Sequence, residues 1–391
     1  MRDAGRALLA SLAVWALIMS GAAAGPAPTD LARLEPLAFQ DLAGWEADDH
    51  AAAFRAFLRS CRALDASAQA LRPAQPPQPG LLAVCREALK NPGAGRAEAR
   101  RFFEAHFQPY AVVPQSGGGF LTGYYEPEFR GSRTPDGPYR VPLLDRPEDL
   151  VTIPQGETLP GIDKGLQAAR RTARGYEPYP DRAAIEEGAL GTQAKPIVWL
   201  REPGEAFIIH VQGSARIRLA DGSVMRVAYA GRNGHPYTSI GRLLVQRGEM
   251  DLETMTLDKL MGWLKDNPKP ARVLMRQNRS YIFFREAAEL APEDGPIGGA
   301  GHPLVPGRSL AVDRSLWPYG LPVWLDGQLP LTLLDEAEPL QRLMIAQDTG
   351  SAIVGPARGD FFFGSGAEAG RRAGLLRHPV RFVVLQPKPR S

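Results

Sequence analysis

The residues best suited to chemistry lie in one run, Leu343 to Gly366, LMIAQDTGSAIVGPARGDFFFGSG. It carries two acids, Asp348 and Asp360, twelve positions apart, among glycines at 350, 355, 359, 364 and 366. Glycine lets backbone turn tightly and approach a ligand with no Cβ in the way. No His or Cys stands near these acids to complete a metal cage, and no Gly-Lys-Ser/Thr makes the glycines a phosphate loop. Acid/base chemistry by carboxyl is the leading reading. Asp348-Thr349-Gly350-Ser351 also matches an aspartic-protease signature, but that chemistry needs two such loops sharing one proton. The chain has no second one.

Other polar clusters point to a ligand rich in hydroxyls. Phe120-Leu-Thr-Gly-Tyr-Tyr-Glu-Pro127 combines a strand with Gly123, two tyrosines and an acid. Tyrosines at a strand end can stack on sugar faces and offer hydroxyls to sugar oxygens; the competing reading is core packing, with Glu126 a solvated turn residue. His210-Val-Gln-Gly-Ser-Ala215 and Tyr229-Ala-Gly-Arg-Asn-Gly-His-Pro-Tyr237 supply Gln212, Ser214, Asn233 and Tyr237. These are neutral hydrogen-bonding groups, suited to hydroxyls and amides rather than phosphates. His210 and His235 have no third ligand at a sensible spacing, so neither a metal nor a cofactor is expected. The Gly364 to Gly370 run misses a dinucleotide loop by one residue.

The elements that must position these groups are strands, preceded by helices. Phe54, Phe57, Leu58 and Cys61 follow the i, i+3, i+4, i+7 rule and predict a helix over 49–64. A Pro-rich link leads to a second over 81–90 and a third over 97–107, burying Phe102, Phe103, His106 and Phe107. From Phe120 strands are expected at 197–200, 206–211, 215–219 and 224–228, with an Asp221-Gly222 hairpin turn. Two helices follow, one capped by Thr238 or Ser239 and ending at Gly248, one capped by Thr256 and ending before Asn267-Pro268. Strands return at 281–284, 309–312, 323–325, 343–346 and 380–385. The class is mainly β with N-terminal helices.

At 391 residues the chain has room for two or three domains, and its 44% hydrophobic and 23% charged residues are ordinary for a globular protein. A formal charge of +3 gives no concentrated basic face for nucleic acid. Arg2 and Arg6, the apolar stretch Ala7 to Met19 and Ala22-Ala23-Ala24 read as a cleavable export signal, residues 1–24. The rival is an uncleaved anchor, for which the apolar core is short. No Cys adjoins the cleavage point, so lipid attachment is not expected there. Cys61 and Cys85 lie on apolar helix faces, where a disulfide and two buried thiols are both open readings.

Taken in order, GYYEP (123–127), HVQGSA (210–215), YAGRNGHPY (229–237), QNRSYIFF (277–284), VPGRSLAVDRSLWPYG (305–320) and QDTGSAIVGPARGDFFFGSG (347–366) resemble the membrane-bound lytic murein transglycosylase A (MltA) family. The resemblance covers roughly residues 110 to 386. It implies a double-psi β-barrel, the three-aspartate domain, from which the chain leaves to build a second β domain before returning. Residues 25–127 would then be helices and the first part of the barrel, 128–267 the inserted domain, and 268–391 the remainder, with a glycan groove between domains. Asp360 maps onto the catalytic aspartate, a sole acid/base; Asp348 and Asp313 map onto the other two, orienting or structural. Thr122, Tyr124 and Tyr125 map onto the groove-lining motif, with Gln212, Gly213 and Ser214 on the facing wall and Asn233 as a further sugar contact. The implied activity cleaves the MurNAc-β-1,4-GlcNAc bond with formation of a 1,6-anhydro end, without cofactor, in the periplasm. Glycan strands of peptidoglycan are the implied partner, and association with other cell-wall enzymes stays open. Two departures stand out: the family's lipoprotein cysteine is missing, and Ala357-Arg358-Gly359 replaces an aromatic-containing stretch. Two rivals remain, a glycoside hydrolase using Asp348 and Asp360 as a pair, and a peptidoglycan-binding protein without catalysis.

Overall fold

A computed structural model describes residues 31–154, 156–330 and 337–389; the expected export signal lies outside them. Strand β1 (Ala32–Pro36) is followed by three helices, α1 (His50–Asp65), α2 (Pro79–Lys90) and α3 (Arg96–His106), and by strands β2 (Phe107–Pro114) and β3 (Phe120–Glu126). Asp49 caps α1, its Oδ1 accepting from the Ala52 N–H at 3.0 Å. The predicted apolar stripe of α1 is buried, and Cys61 forms a disulfide with Cys85, tying α1 to α2. Closing such a loop stabilises by roughly 3 kcal/mol on the chain-entropy model. His106 is only half-buried, its ring tilted against that of Phe102 at 4.5 Å.

The chain then builds a second domain. It comprises β4 (Glu128–Ser132), β5 (Val141–Leu144), β6 (Leu150–Thr152), β7 (Ala168–Thr172), β8 (Gly175–Pro178), α4 (Arg182–Glu186), β9 (Pro196–Leu200), α5 (Pro203–Gln212), β10 (Ser214–Arg218) and β11 (Val224–Arg232). Helices α6 (Ile240–Gln246), α7 (Leu257–Asp266) and α8 (Pro268–Arg276) lead to β12 (Ile282–Glu286). Six strands form one sheet in the order β12-β11-β10-β4-β9-β5, and a bridge between Asp145 and Phe284 brings its two ends together. Because β12 completes this sheet, the domain runs past residue 267, where the sequence reading ended it. The strand expected over 206–211 is instead part of helix α5. Pro203 starts it, and Gly213, at φ 80°, ends it in the left-handed conformation that glycine adopts at no steric cost. Its apolar residues lack a polar face because both sides are covered: Ala206 and Ile209 pack on the sheet, Phe207 and Ile208 on α6 and α8.

The return segment supplies β13 (Ser309–Val312), β14 (Pro322–Pro330), β15 (Ala337–Asp348), β16 (Arg358–Ser365), α9 (Gly366–Leu375) and β17 (Arg377–Pro387). Strands β17-β14-β15-β13-β16-β3 pair in that order, and β3 pairs back on β17, so the sheet closes into a six-stranded barrel. The barrel mixes parallel pairs, β13–β15 and β16–β3, with antiparallel ones. Its strands read as unbroken apolar runs because both faces are buried. Val323, Leu325, Met344, Ala346, Phe382 and Val384 fill the interior. The alternate residues Trp324, Leu343, Ile345 and Val383 pack outward against Phe54, Phe57 and Phe103 of α1 and α3. A buried ion pair fixes these helices to the barrel: Arg308 donates to both oxygens of Asp48 at 2.7 and 2.9 Å, and the Leu343 N–H donates to Asp48 at 3.0 Å. Among the described residues no helix is long and apolar enough to cross a membrane.

Candidate active site

Strand register brings the two acids together. Ala311 of β13 is opposite Asp348 of β15 on one side and Asp360 of β16 on the other, and Asp360 is itself opposite Thr122 of β3. Two inter-strand spacings place the Asp348 and Asp360 Cα atoms about 10 Å apart, with Ala311 on the strand between them. Thr122, Tyr124, Ala311, Asp348 and Asp360 all line one groove.

Asp360 sits at its floor. Burial pushes its carboxyl up to about 6, against opposing effects of the Thr122 hydrogen bond and the Arg358 charge, while the nearby Asp348 adds to the rise. Thr122 Oγ1 lies 2.6 Å from Asp360 Oδ1, and Arg358 Nη2 donates to the same Oγ1 at 2.7 Å. A guanidinium can only donate. Thr122 therefore accepts from Arg358 and directs its own proton to Asp360 Oδ1, which leaves Oδ2 as the oxygen that carries the exchangeable proton.

Asp348 is held differently. Its Oδ1 accepts from the backbone N–H groups of Gly299 at 2.7 Å and Thr349 at 2.8 Å. Burial raises its affinity for a proton, and those two hydrogen bonds oppose the rise. The phenol of Tyr124 is kept well above 10 by burial first, then by the charges of Asp348 and Asp360, so it remains a donor. Its buried hydroxyl faces Asp348 and helps to stabilise that carboxylate. Asp313 serves the loop: Oδ1 accepts from the Ser315 N–H at 2.9 Å and its hydroxyl at 2.6 Å, and Oδ2 from the Gly355 N–H at 2.7 Å. It thereby clamps the segment joining Asp348 to Asp360.

The second domain forms the facing wall, with Gln212, Gly213 and Ser214 at the C-terminal end of α5, Tyr229 and Arg232 on β11, and Tyr237 beyond it. Gln212 Oε1 accepts from the Tyr125 N–H at 3.1 Å, which joins the two walls and leaves the amide nitrogen for a ligand. Two expected contacts lie elsewhere. Tyr125 is buried against Ala369 and Ala373 of α9, because neighbours on a strand point to opposite faces and Tyr124 takes the groove side. Asn233 is fully buried; its Nδ2 donates to the Pro180 and Arg279 carbonyls, each at 2.9 Å, and its Oδ1 accepts from the Tyr281 N–H at 2.8 Å. His210 and His235 are structural: His210 Nδ1 accepts from the Ile282 N–H at 3.2 Å, and His235 Nε2 meets the Tyr179 carbonyl at 2.7 Å.

Sequence reasoning missed three features. Glu126, taken for a solvated turn residue in one reading, is 1% exposed. It pairs with Arg216 and Arg226, each at 2.8 Å, and accepts from the Ser365 hydroxyl at 2.6 Å, locking the barrel to the inserted sheet. The Pro-rich link brings Leu71 and Arg72 to the groove, where Arg72 donates to the Thr349 carbonyl at 2.8 Å. Ala311 had no signal except its place in an apolar strand.

Comparison with known proteins follows the same division of the chain. The model of the MltA specific insert domain matches residues 120–285, and that of the 3D domain matches residues 308–386. The membrane-bound lytic murein transglycosylase of Agrobacterium tumefaciens has a crystal structure 40% identical in sequence, with a TM-score of 0.81 over 90% of this chain and 97% of that one. Escherichia coli MltA with bound chitohexaose is 29% identical, with a TM-score of 0.58 over 79% of this chain and 83% of that one. The membrane-bound lytic murein transglycosylase A of Escherichia coli K12 is 33% identical over 277 residues, which span 69% of this chain and 66% of the relative's length. The fold, the matched domains and these relatives agree: the chain belongs to the MltA family.

Proposed function

We propose that this chain is an exported lytic transglycosylase of peptidoglycan, with Asp360 as its sole acid/base. The observation that carries the reading is the groove-lining carboxyl of Asp360, pushed up to about 6 by burial and hydrogen-bonded by Thr122. The Escherichia coli relative is named as a murein transglycosylase and has been solved with chitohexaose in place, which supports a glycan as the groove's ligand.

The chemistry follows from that placement. Asp360 gives its proton to the glycosidic oxygen as the C1–O bond of the muramic residue breaks and oxocarbenium character develops. The carboxylate then takes the proton of that sugar's 6-hydroxyl, whose oxygen bonds to C1. A 1,6-anhydro end forms, and Asp360 is protonated again. The tethered hydroxyl has a high effective molarity, so no second carboxylate is needed to activate water. Asp348, neutralised in part by two backbone N–H donors, and the protonated Tyr124 would orient the sugar between them. The expected export signal and the Cys61–Cys85 disulfide suit a periplasmic site of action.

The placement of Asp348 across β13 from Asp360 favours one rival, hydrolysis by two carboxyls around a water. Product mass separates the two. Digestion of purified peptidoglycan should release fragments lighter by one water than hydrolytic ones, and no solvent oxygen should enter them in isotopically labelled water. Label in the products would establish hydrolysis instead.

A further inference from the structure

Beyond Asp360 the groove continues past Thr349 to Ile353 into a second hollow lined by Arg72, Arg232 and Arg314. The three arginines come from separate parts of the chain: the Pro-rich link, the end of β11 and the turn after β13. None of them forms an ion pair among the described residues. Each commits one side-chain nitrogen to a neutral acceptor. Arg72 donates to the Thr349 carbonyl at 2.8 Å, Arg232 to the Ser351 hydroxyl at 2.6 Å, and Arg314 to the Pro73 carbonyl at 2.5 Å. A guanidinium carries five N–H donors, so most remain for something else. Asp313 lines the same hollow and its charge acts on Arg314, but both its oxygens are engaged by Ser315 and Gly355, so it forms no ion pair there.

Arg232 is only 9% exposed, and a buried cation without a counterion is costly to maintain. Arg72 lies over the Tyr229 ring at 5.5 Å, which softens but does not cancel its charge. Burial, then the repulsion of Arg72 and Arg314, holds Arg232 down to about 10, and burial followed by Arg72 lowers Arg314. The three cations outnumber the two carboxylates near them, Asp313 and Asp348, and form a net positive cluster on the wall of the groove, in a form that planar oxyanions match bidentately.

We infer that Arg72, Arg232 and Arg314 form a carboxylate-binding subsite, which receives an acidic substituent of the muramic residues as the strand lies across Asp360. The inference rests on the glycan reading above and deepens it, because it separates peptidoglycan from neutral chitin-like chains of the same backbone. Two substituents carry the required chemistry: the lactyl carboxylate of a peptide-free strand, and the carboxylates of a stem peptide, in which the lactyl group is amide-linked.

The test measures binding by calorimetry in the full chain bearing Asp360→Asn, so that no strand is consumed. Three ligands are compared: chitohexaose, peptide-free glycan strands and peptide-bearing strands. Arg232→Gln and Arg314→Gln should each weaken a carboxylated strand roughly 10- to 100-fold, the loss typical of a hydrogen bond to a charged group. In Arg314→Gln, whose side chain lines only the second hollow, chitohexaose should be held within about twofold of the parent, and raised salt should weaken the carboxylated strands alone. Loss confined to peptide-free strands assigns the lactyl group; loss confined to peptide-bearing strands assigns the stem. Arg314→Gln carries the same expectation if Arg232→Gln disturbs folding, which thermal melting reports, and Arg232→Lys should retain part of the affinity. Equal loss on all three ligands, or none on either carboxylated strand, overturns the subsite while leaving the glycan reading intact. Failure of the parent to bind any of the three overturns both.

Discussion

Thr122 offers a graded test of how the acid is tuned. Its hydroxyl donates to Asp360 Oδ1 at 2.6 Å and so favours the ionised carboxylate, opposing the burial that holds the group at about 6. Thr122→Val removes that donor with little change of volume. A hydrogen bond to a charged group contributes about 1.5–3 kcal/mol net, and tenfold in proton affinity is about 1.4 kcal/mol, so the carboxyl should rise by at least about one pH unit. A general acid works when protonated. Activity should therefore fall as pH rises through the Asp360 value, and in Thr122→Val that alkaline limb should move upward by about one pH unit. The assay is the initial rate of turbidity loss of purified peptidoglycan from pH 4 to 9, at substrate concentrations low enough to report kcat/KM (~ten points suffice). An unmoved limb would mean that Thr122 does not act on the titrating group. A limb moved downward would mean that Arg358, released from Oγ1, now stabilises the carboxylate directly, and the relay described above would be wrong.

Other expectations follow from the same contacts. Asp360 is an acid whose affinity is raised on folding, from 3.8 to about 6, so the stability it supports is present below pH 3.8 and is lost as pH rises through 6. Asp360→Asn should consequently stabilise the chain at pH 7.5, by up to about 3 kcal/mol in urea unfolding, and should change nothing at pH 3.5; stabilisation equal at both values would contradict the burial argument. Glu126→Gln leaves Arg216 and Arg226 without their carboxylate and should cost about 3–5 kcal/mol. A loss below about 1 kcal/mol would show that the junction does not depend on this pair.

The sequence made the scaffold largely legible where periodicity was strong. Helices α1 to α3 announce themselves by apolar residues three and four apart, and the barrel strands by apolar runs of four to six residues. The same rule failed at α5, since Ala206 to Val211 is a run without a polar face, and such runs do not distinguish a strand from a helix covered on both sides. Pro203 and Gly213 were the overlooked signals, one a helix starter and the other a left-handed terminator. Helix α9 was hidden by its glycines, and Gly370 is there because the Tyr125 ring packs against it. Asp360, Thr122 and Tyr124, grouped by motif, do line one groove. Tyr125 could have been set aside by strand alternation, whereas Glu126 could not have been placed, because its partners lie 90 and 100 residues away. Asn233 misled for a general reason: a polar residue among glycines marks a hydrogen-bonding task but does not say whether ligand or backbone receives it.

The central claim is that one carboxyl does the chemistry, and the most direct measurement is glycan cleavage by Asp360→Asn. Purified peptidoglycan digested with this variant should lose 10²- to 10⁴-fold in rate, while binding of chitohexaose stays at the parent level. Retention of more than about a tenth of the parent rate, with anhydro ends still forming, would move the proton transfer to Asp348 and contradict the account.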